Sequence, residues 1–185
     1  TAQSKWGGAS GLFDGTGDSL STPDHINFDY SGGIWTVSVQ GRTSNISTSN
    51  TIFSQLTDDN NYIWAYVTTG GAVKLSIFSG GAEVLGTAGC VTGNSVITVN
   101  NWYHIEFVEN GNNYYVYVNG IQQCHISDVS RPANYTGVLT IGNYTGGGVY
   151  WFGWLDEFRS IKGTAVHATN FNPPAAAYPN EYAPY

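Results

Sequence analysis

Apolar and polar residues alternate with a period of two in several segments of the chain. Trp35, Val37 and Val39 alternate with polar residues, and aliphatic residues occupy every second position in 62–67 and 73–78. Such runs, bounded by Gly, Asn or Asp, predict β-strands with one face toward a core. No long segment combines helical periodicity with helix-forming residues. The pattern therefore predicts an all-β protein.

Two hairpins are predicted in the middle of the chain. Residues 102–108 lead through the turn 110–113 into the alternating segment 114–118. Asn119-Gly120 then predicts a tight turn into 121–126, because this dipeptide tolerates the positive φ that such turns require. Many short antiparallel strands indicate a sandwich or a barrel. Further strand signals lie at 11–13, 19–20, 138–141 and 151–161, and the segment 153–159 is the predicted closing strand.

Length and proline content predict the domain organisation. A chain of 185 residues fits one domain that buries most of its unfolded surface. Four prolines after residue 172 exclude a central strand there. We therefore predict one domain over 1–172 and a Pro-rich tail over 173–185, which wraps the surface or leads to another module. The chain starts at Thr1 without Met, which indicates a processed product or a module of a longer parent protein.

Charge and apolar run length exclude two classes of partner. The net charge is −7, and the six Lys and Arg residues are spread singly along the chain. Without a basic stripe to neutralise phosphates, nucleic acid is not an expected partner. The apolar runs are too short to cross a bilayer as a helix, so no membrane insertion is expected.

Two cysteines lie in segments that are predicted to be separate strands. Cys90 and Cys124 could form one disulfide, which would suit an oxidising compartment. Two buried thiols would fit the same positions. The sequence leaves both alternatives open.

Four segments, in this order, carry a resemblance to a known family. They are 13–20, 35–39, 101–105 with 117–120, and 153–159. With them the chain resembles the laminin-G-like, concanavalin A-like jelly rolls of bacterial, phage and animal extracellular proteins. The ending, from Lys162 to Pro174, is similar to phage and bacterial members. The resemblance implies a two-sheet antiparallel jelly-roll sandwich that is extracellular, at a cell surface or on a virion.

The acidic residues do not match a catalytic pattern. A glycosidase needs two carboxyl groups facing each other across the scissile bond. If Asp156 and Glu157 lie in a strand, their side chains point to opposite faces, and Asp58-Asp59 is typical of a turn. The resembled glycosidases carry a Glu-x-Asp-x-x-Glu strand, which this chain lacks. We expect the protein not to be an enzyme.

Aromatic residues predict a binding surface for sugars, because flat rings stack on a pyranose while polar side chains bond its hydroxyls. If the aliphatic alternates form the core, one aromatic platform faces outward, although a loop or the tail could cover it. Tyr150 and Trp151, beside the glycine-rich loop 146–148, are candidates for a loop-edge site. The predicted ligand-binding residues are Tyr62, Trp64, Tyr66, Lys74, His104, Glu106, Tyr115, Tyr117, Tyr150 and Trp151.

Calcium is the implied cofactor, since hard cations bind clustered carboxylate and carbonyl oxygens. Asp58, Asp59 and Asn60 resemble the loop with which pentraxins begin their calcium site, but the acidic loop that completes it is missing here. Asp14, Asp18 and Asp156 would form a second cluster if their strands are neighbours. Alternatively, Asp14 and Asp18 brace Gly-rich turns.

Three functional hypotheses follow from these residues. The leading one is a non-catalytic, lectin-like module that binds a cell-surface or matrix polysaccharide, with calcium as its cofactor. The second is a structural or adhesion domain of a phage tail or cell-surface protein, which binds another protein chain or forms an oligomer. The third is a polysaccharide-cleaving enzyme.

Overall fold

A computed structural model describes residues 3–179 of the chain and shows antiparallel strands in two packed sheets. Two short 3₁₀ helices, Ile26–Phe28 and Tyr30–Gly32, precede the third strand. The strands are β1 Gly11–Asp14, β2 Leu20–Thr22, β3 Ile34–Thr43, β4 Asn50–Asp58, β5 Asn61–Val67, β6 Val73–Ser79, β7 Ala82–Glu83, β8 Cys90–Val91, β9 Tyr103–Asn110, β10 Asn113–Val118, β11 Ile121–Ser127, β12 Leu139–Ile141, β13 Asn143–Tyr144, β14 Val149–Tyr150 and β15 Phe152–Lys162.

The strands divide into a six-stranded and a seven-stranded sheet. The six-stranded sheet has the order β1-β15-β3-β9-β10-β11. The seven-stranded sheet has the order β2-β12-β4-β5-β6-β7, and β8 also pairs with β6. The small hairpin β13-β14 lies beside β4. The prediction of an all-β, two-sheet antiparallel jelly-roll sandwich is confirmed.

The core lies between the two sheets and is built by the predicted alternation. Trp35, Val37 and Val39 are at most 1% exposed, and the aliphatic alternates of β5 and β6 are fully buried. Phe53 of one sheet meets Phe107 of the other edge to face, with ring centroids 5.9 Å apart. Inward residues of both sheets thus interdigitate, as expected for packed sheets.

The predicted closing strand is confirmed as β15, which pairs with β1 on one side and with β3 on the other. Its pairing with β3 is irregular between Asp156 and Arg159, where Glu157 has a φ of 52°. Gly153 has a φ of 139°, and a Cβ atom there would overlap the carbonyl oxygen of Arg42. Only glycine allows this close approach of two backbones.

A disulfide bond joins Cys90 to Cys124. Cys90 lies in β8 of the seven-stranded sheet, and Cys124 lies in β11 of the six-stranded sheet. The bond therefore links the two sheets across the sandwich, close to one edge.

Residues 164–178, which we call the strap, cross the outer face of the six-stranded sheet. The strap is bonded to β3 by its Val166 amide, which donates to Thr36 Oγ1 at 3.0 Å. The Phe171 amide donates to the Gly120 carbonyl at 2.9 Å. Tyr178 completes the strap, with its hydroxyl 3.2 Å from Ser38 Oγ. These contacts run across the predicted boundary between residues 172 and 173, and the end of the tail, 180–185, lies outside the described residues.

None of the helices within residues 3–179 is long and apolar enough to span a membrane.

Candidate functional site

The structure separates the predicted aromatic platform into two surfaces. Strands β5 and β6 belong to one sheet and β9 and β10 to the other, and the outer faces of the two sheets point in opposite directions. One continuous platform is therefore excluded. Tyr62, Trp64, Tyr66 and Lys74 lie on the outer face of the seven-stranded sheet, whereas His104, Glu106, Tyr115 and Tyr117 lie on that of the six-stranded sheet.

Five aromatic rings form a continuous row on the seven-stranded sheet. Trp64 lies between Tyr66 and Tyr144, with ring centroids 3.7 Å and 4.3 Å away and nearly parallel planes. Tyr62 stacks on Phe78 at 4.6 Å and meets Tyr144 edge to face at 5.3 Å. Both faces of Trp64 are thus occupied. Tyr62 is only 9% exposed, whereas the other four rings are half-buried and reach solvent in part. We call Tyr66, Trp64, Tyr144, Tyr62 and Phe78 the aromatic row.

Hydrogen bonds hold the aromatic row in place. The Trp64 indole Nε1 donates to Thr51 Oγ1 on the neighbouring strand at 2.9 Å. Ser54 Oγ donates to the Asn143 carbonyl at 2.8 Å, which fixes β13, and with it Tyr144, against β4. Tyr144 is a site residue that sequence reasoning missed, because its strand is only two residues long and shows no alternation.

Two tyrosine hydroxyls of the aromatic row are held in their protonated form by burial. Burial raises the pKa of the Tyr62 and Tyr144 hydroxyls above the ordinary value for tyrosine. Both hydroxyls therefore stay protonated and can donate as well as accept hydrogen bonds. The Lys74 ammonium lies 5.9 Å from the centroid of the Tyr66 ring, at one end of the row.

A cleft of about 470 Å³ adjoins the aromatic row through the hairpin β13-β14. Val149 lines the cleft and is the cross-strand partner of Tyr144. The lining contains hydroxyl groups and a tyrosine ring but no ionisable acid or base other than that tyrosine. The lining residues are Gly15, Ser47, Thr48, Ser49, Thr69, Gly148, Val149 and Tyr150.

The two candidates for a loop-edge site have different positions. Tyr150 is half-buried and lines the cleft. Trp151 is only 1% exposed and belongs to the core, where it packs against Gly41. The prediction that Trp151 contacts a ligand is corrected by this burial, since adjacent residues of an extended chain point to opposite sides.

The predicted residues on the six-stranded sheet lie beneath or beside the strap. His104 and Glu106 are 2% and 1% exposed, and Tyr117 is fully buried. Tyr115 is half-buried and stacks on His125 at 4.7 Å. The strap therefore closes most of this face, so the aromatic row and its cleft form the accessible candidate site.

The structure does not bring Asp156 to Asp14 and Asp18. Asp156 lies beyond Leu155, which pairs with Gly11 at the opposite end of β1 from Asp14. Its Oδ2 accepts the backbone amides of Lys5 and Trp6, and its Oδ1 that of Glu157. These three aspartates therefore do not form one cation site.

Three of the other predicted metal ligands, Asp14, Asp18 and Asp58, brace turns. Asp14 Oδ1 accepts the amide and hydroxyl of Thr16, and Asp18 Oδ2 accepts the Asp14 amide. Asp58 Oδ1 accepts the amide of Asn60 at 2.8 Å, and the Asn61 side chain lowers the pKa of Asp58 further. Asp59 and Asn60 are exposed. Residues 3–179 contain no cluster of three or more His, Cys, Asp or Glu that could hold a metal, so calcium stays a prediction.

The adjacent acids of β15 are also used structurally. Besides the bonds of Asp156, Glu157 Oε2 accepts the backbone amide of Tyr178 at 2.8 Å. The arrangement braces the N-terminal segment and the strap against the bulged strand.

The fold defines the class of this protein as a jelly-roll sandwich of the lectin type. Residues 14–167 match the laminin-G-type family model described as "Concanavalin A-like lectin/glucanases superfamily". The chain belongs to this family, and the resemblance predicted from its motifs is confirmed. Among curated proteins, none matches the sequence.

Several solved structures share the fold at low sequence identity. Laminin α1 domains LG4-5 of mouse are 12% identical with a TM-score of 0.63, covering 80% of this chain and 40% of that one. Domain 4 of the extracellular arabinanase AbnA of Geobacillus stearothermophilus, in complex with arabinotriose, is 16% identical with a TM-score of 0.57 and 82% coverage of both chains. The sialidase module CBM40 of Ruminococcus gnavus, bound to α2,3-sialyllactose, is 11% identical with a TM-score of 0.62, covering 82% and 92%. The chain thus spans 40% of the laminin chain and most of the other two.

Proposed function

We propose that this protein is a non-catalytic module that binds an uncharged glycan at a cell surface or in an extracellular matrix. The observation that carries the proposal is the aromatic row beside a hydroxyl-lined cleft, on the sheet face that the strap does not cover. The two features are joined by the pair Tyr144 and Val149, so one extended ligand can contact both.

The site has the two kinds of group that a saccharide needs. C–H groups of a sugar ring pack on the exposed parts of the aromatic row, and sugar hydroxyls bond to Tyr150 and to the Ser and Thr hydroxyls of the cleft. Each aromatic contact contributes on the order of 1 kcal/mol beyond burial, by analogy with aromatic pairs. Two or three such contacts give the weak affinity of a single module.

Two structural relatives support a saccharide as the ligand, whereas the choice of an uncharged one rests on the side chains of this chain. The arabinanase domain is in complex with arabinotriose, and the sialidase module is bound to sialyllactose. Their likeness to this chain is one of fold, so the ligand is argued here from the side chains of this chain. The disulfide Cys90–Cys124 and the family support an extracellular location, because disulfides persist in oxidising compartments.

Substitution of Trp64 tests the proposal. We expect Trp64→Ala to weaken binding to the best ligand of a glycan array at least about 10-fold, because the row loses the ring that joins Tyr66 to Tyr144. Titration calorimetry with the corresponding oligosaccharide measures the change, in calcium and again in EDTA. Comparison of the titrations in calcium and in EDTA also tests whether Asp14, Asp18, Asp58 or Asp59 binds a cation that contributes to the affinity.

Trp154→Ala is the matched control. Trp154 is a half-buried tryptophan on the outer face of the other sheet, where Arg42 lies 4.6 Å from its ring. Its removal should leave the affinity unchanged. An intact protein that binds no glycan, or equal losses in both variants, would contradict the proposal. The alternatives would then be a polysaccharide-cleaving enzyme or a module with a protein partner, for which the exposed Leu12 and Leu20 of edge strands β1 and β2 are the natural contacts.

A further inference from the structure

The outer face of the six-stranded sheet, which the strap crosses, holds buried polar atoms that have no hydrogen-bond partner among residues 3–179. They are the amide nitrogen and oxygen of Gln40, both ring nitrogens of His104 and the hydroxyl of Tyr117. These side chains are between 0% and 2% exposed. Buried polar groups are almost always paired, so a group of unpaired ones on a single face indicates a missing partner.

The unpaired atoms belong to one patch of the six-stranded sheet. Gln40 and His104 are directly opposite each other on β3 and β9. Tyr117 is directly opposite Glu106 on β10 and β9, and Glu106 is two residues from His104 on the same strand face. We call Gln40, His104, Glu106 and Tyr117 the covered patch.

The part of the strap that lies on the covered patch is mainly aromatic. The Phe171 ring meets His104 edge to face at 5.6 Å and Tyr117 at 5.4 Å. On its other side, Phe171 stacks on His167 at 3.5 Å, and His167 Nδ1 lies 2.8 Å from Glu106 Oε1. A hydrocarbon ring provides packing but cannot bond the imidazole of His104 or the hydroxyl of Tyr117.

The strap is fixed at its two ends, where Thr164 and Val166 bond to Thr36 and Tyr178 bonds to Glu157, and few polar contacts hold the part between them. It follows Gly163, which has a φ of 80° and enough free space that an added Cβ would touch nothing within 4 Å. Along the covered patch its polar attachments are the His167–Glu106 contact, the Phe171 amide to Gly120, and Asn170 Oδ1, which accepts the Gln122 amide at 2.8 Å. Asn170 itself is exposed, so this last bond competes with water.

We propose that the covered patch is a second saccharide-binding site and that the Phe171–His167 pair occupies the place of the sugar ring until the strap moves away. Amide, imidazole and phenol groups both donate and accept hydrogen bonds, as the adjacent hydroxyls of a sugar do. The stacked pair Tyr115 and His125 extends the patch at its rim. The inference takes its ligand class from the proposed function but places the site on the opposite face of the sandwich.

Loosening the strap in a background without the first site tests this inference. We compare Trp64→Ala/Asn170→Ala with Trp64→Ala/Asn172→Ala, because Asn172 is an exposed asparagine of the strap with no hydrogen bond of its side chain among the described residues. Arabino-, xylo- and cello-oligosaccharides are the probes, with binding followed by saturation-transfer NMR and calorimetry. We expect at least fivefold tighter binding in the Asn170 variant, and a loss of this gain when His104→Phe is added.

A second variant makes the outcome independent of how far the strap opens. Phe171→Ala removes the covering ring, and exchange of the backbone amide at position 171 with solvent reports opening in each variant. If neither Asn170→Ala nor Phe171→Ala gains saccharide binding while the thermal midpoints show folded protein, the covered patch is filled by water only and the inference is overturned. Failure of the proposed function is a separate result, since it is detected as unchanged binding after Trp64→Ala in the intact chain.

Discussion

One histidine side chain is kept neutral by its surroundings. His104 is 2% exposed, and burial, assisted by the charges of His167 and Lys5, lowers its pKa to about 4. Burial acts in the opposite direction on the neighbouring carboxyl group and raises the pKa of Glu106. Phe171, Gln40 and Tyr117 complete the environment of the imidazole without bonding its nitrogens.

The lowered pKa of His104 predicts a loss of stability in mild acid. The unfolded chain binds a proton on this histidine near pH 6.5, whereas the folded chain binds it near pH 4, so the free energy of unfolding falls as the pH drops from about 6.5 to 4. The contribution is on the order of 3 kcal/mol. Urea unfolding at a series of pH values measures it.

His104→Gln is the comparison that isolates this contribution. Glutamine does not titrate, so the variant should lack the fall, and its stability should approach or exceed that of the parent toward pH 4. The raised pKa of Glu106 has the opposite effect: it lowers the free energy of unfolding as the pH rises above 4.5. Glu106 is present in both proteins, so this effect cancels in the comparison. Parallel pH profiles of the two proteins would show that His104 is not held neutral.

At the scale of elements, strand β15 determines how the six-stranded sheet closes. It lies between β1 and β3, and the backbone of Gly153 approaches β3 so closely that no side chain fits. The irregular pairing between Asp156 and Arg159 then turns the strand, as bulges do. A single residue therefore governs the contact between the terminal strands and the rest of the sheet.

We expect Gly153→Ala to lower the free energy of unfolding by about 3 kcal/mol, in the range of severe backbone and packing changes. The added methyl group overlaps the Arg42 carbonyl, and a φ of 139° is unfavourable for alanine. Gly93→Ala is the control, because no atom lies within 4 Å of the added Cβ and its φ is not positive. Denaturant unfolding compares the two, and similar losses would refute the role of Gly153.

Periodicity in the sequence is sufficient to predict strands such as β3, β5 and β6, together with the face of each strand that is buried. It could not assign strands to sheets, because alternation tells which residues of one strand share a face but not which strands are neighbours. For this reason Trp64 and Tyr117 were expected on one surface. Periodicity also could not predict the strap, because Phe171 covers His104 through a contact between residues that are far apart in the sequence. Nor could it predict that Tyr144, from a strand of two residues, joins the aromatic row.

The whole molecule carries a charge distribution that disfavours acidic ligands. The net charge is −7, and the cleft is lined without Lys or Arg. Lys74 at the end of the aromatic row lies in the field of Glu83, a half-buried carboxylate. Long-range attraction of a polyanion is therefore absent at this site.

Neutral polysaccharides should accordingly bind better than acidic ones. We expect retention on neutral arabinan, xylan or glucan columns to stay the same between about 0.05 and 0.5 M NaCl, since hydroxyl and aromatic contacts are not screened by salt. Heparin and polysialic acid should not be retained even at low salt. A polyanion that binds at low salt and elutes as the salt rises would disprove this preference.

The antiparallel arrangement of β1 and β15 has a mechanical consequence. The first residue of β1, Gly11, is opposite Leu155, and β15 runs on from there to Lys162. Tension that pulls the start of β1 away from β15 loads the hydrogen bonds of this pair one after another, beginning at Gly11, rather than all at once. The four-residue ladder would therefore peel open under a small force, while the disulfide still links the two sheets and the strap stays bonded to β3.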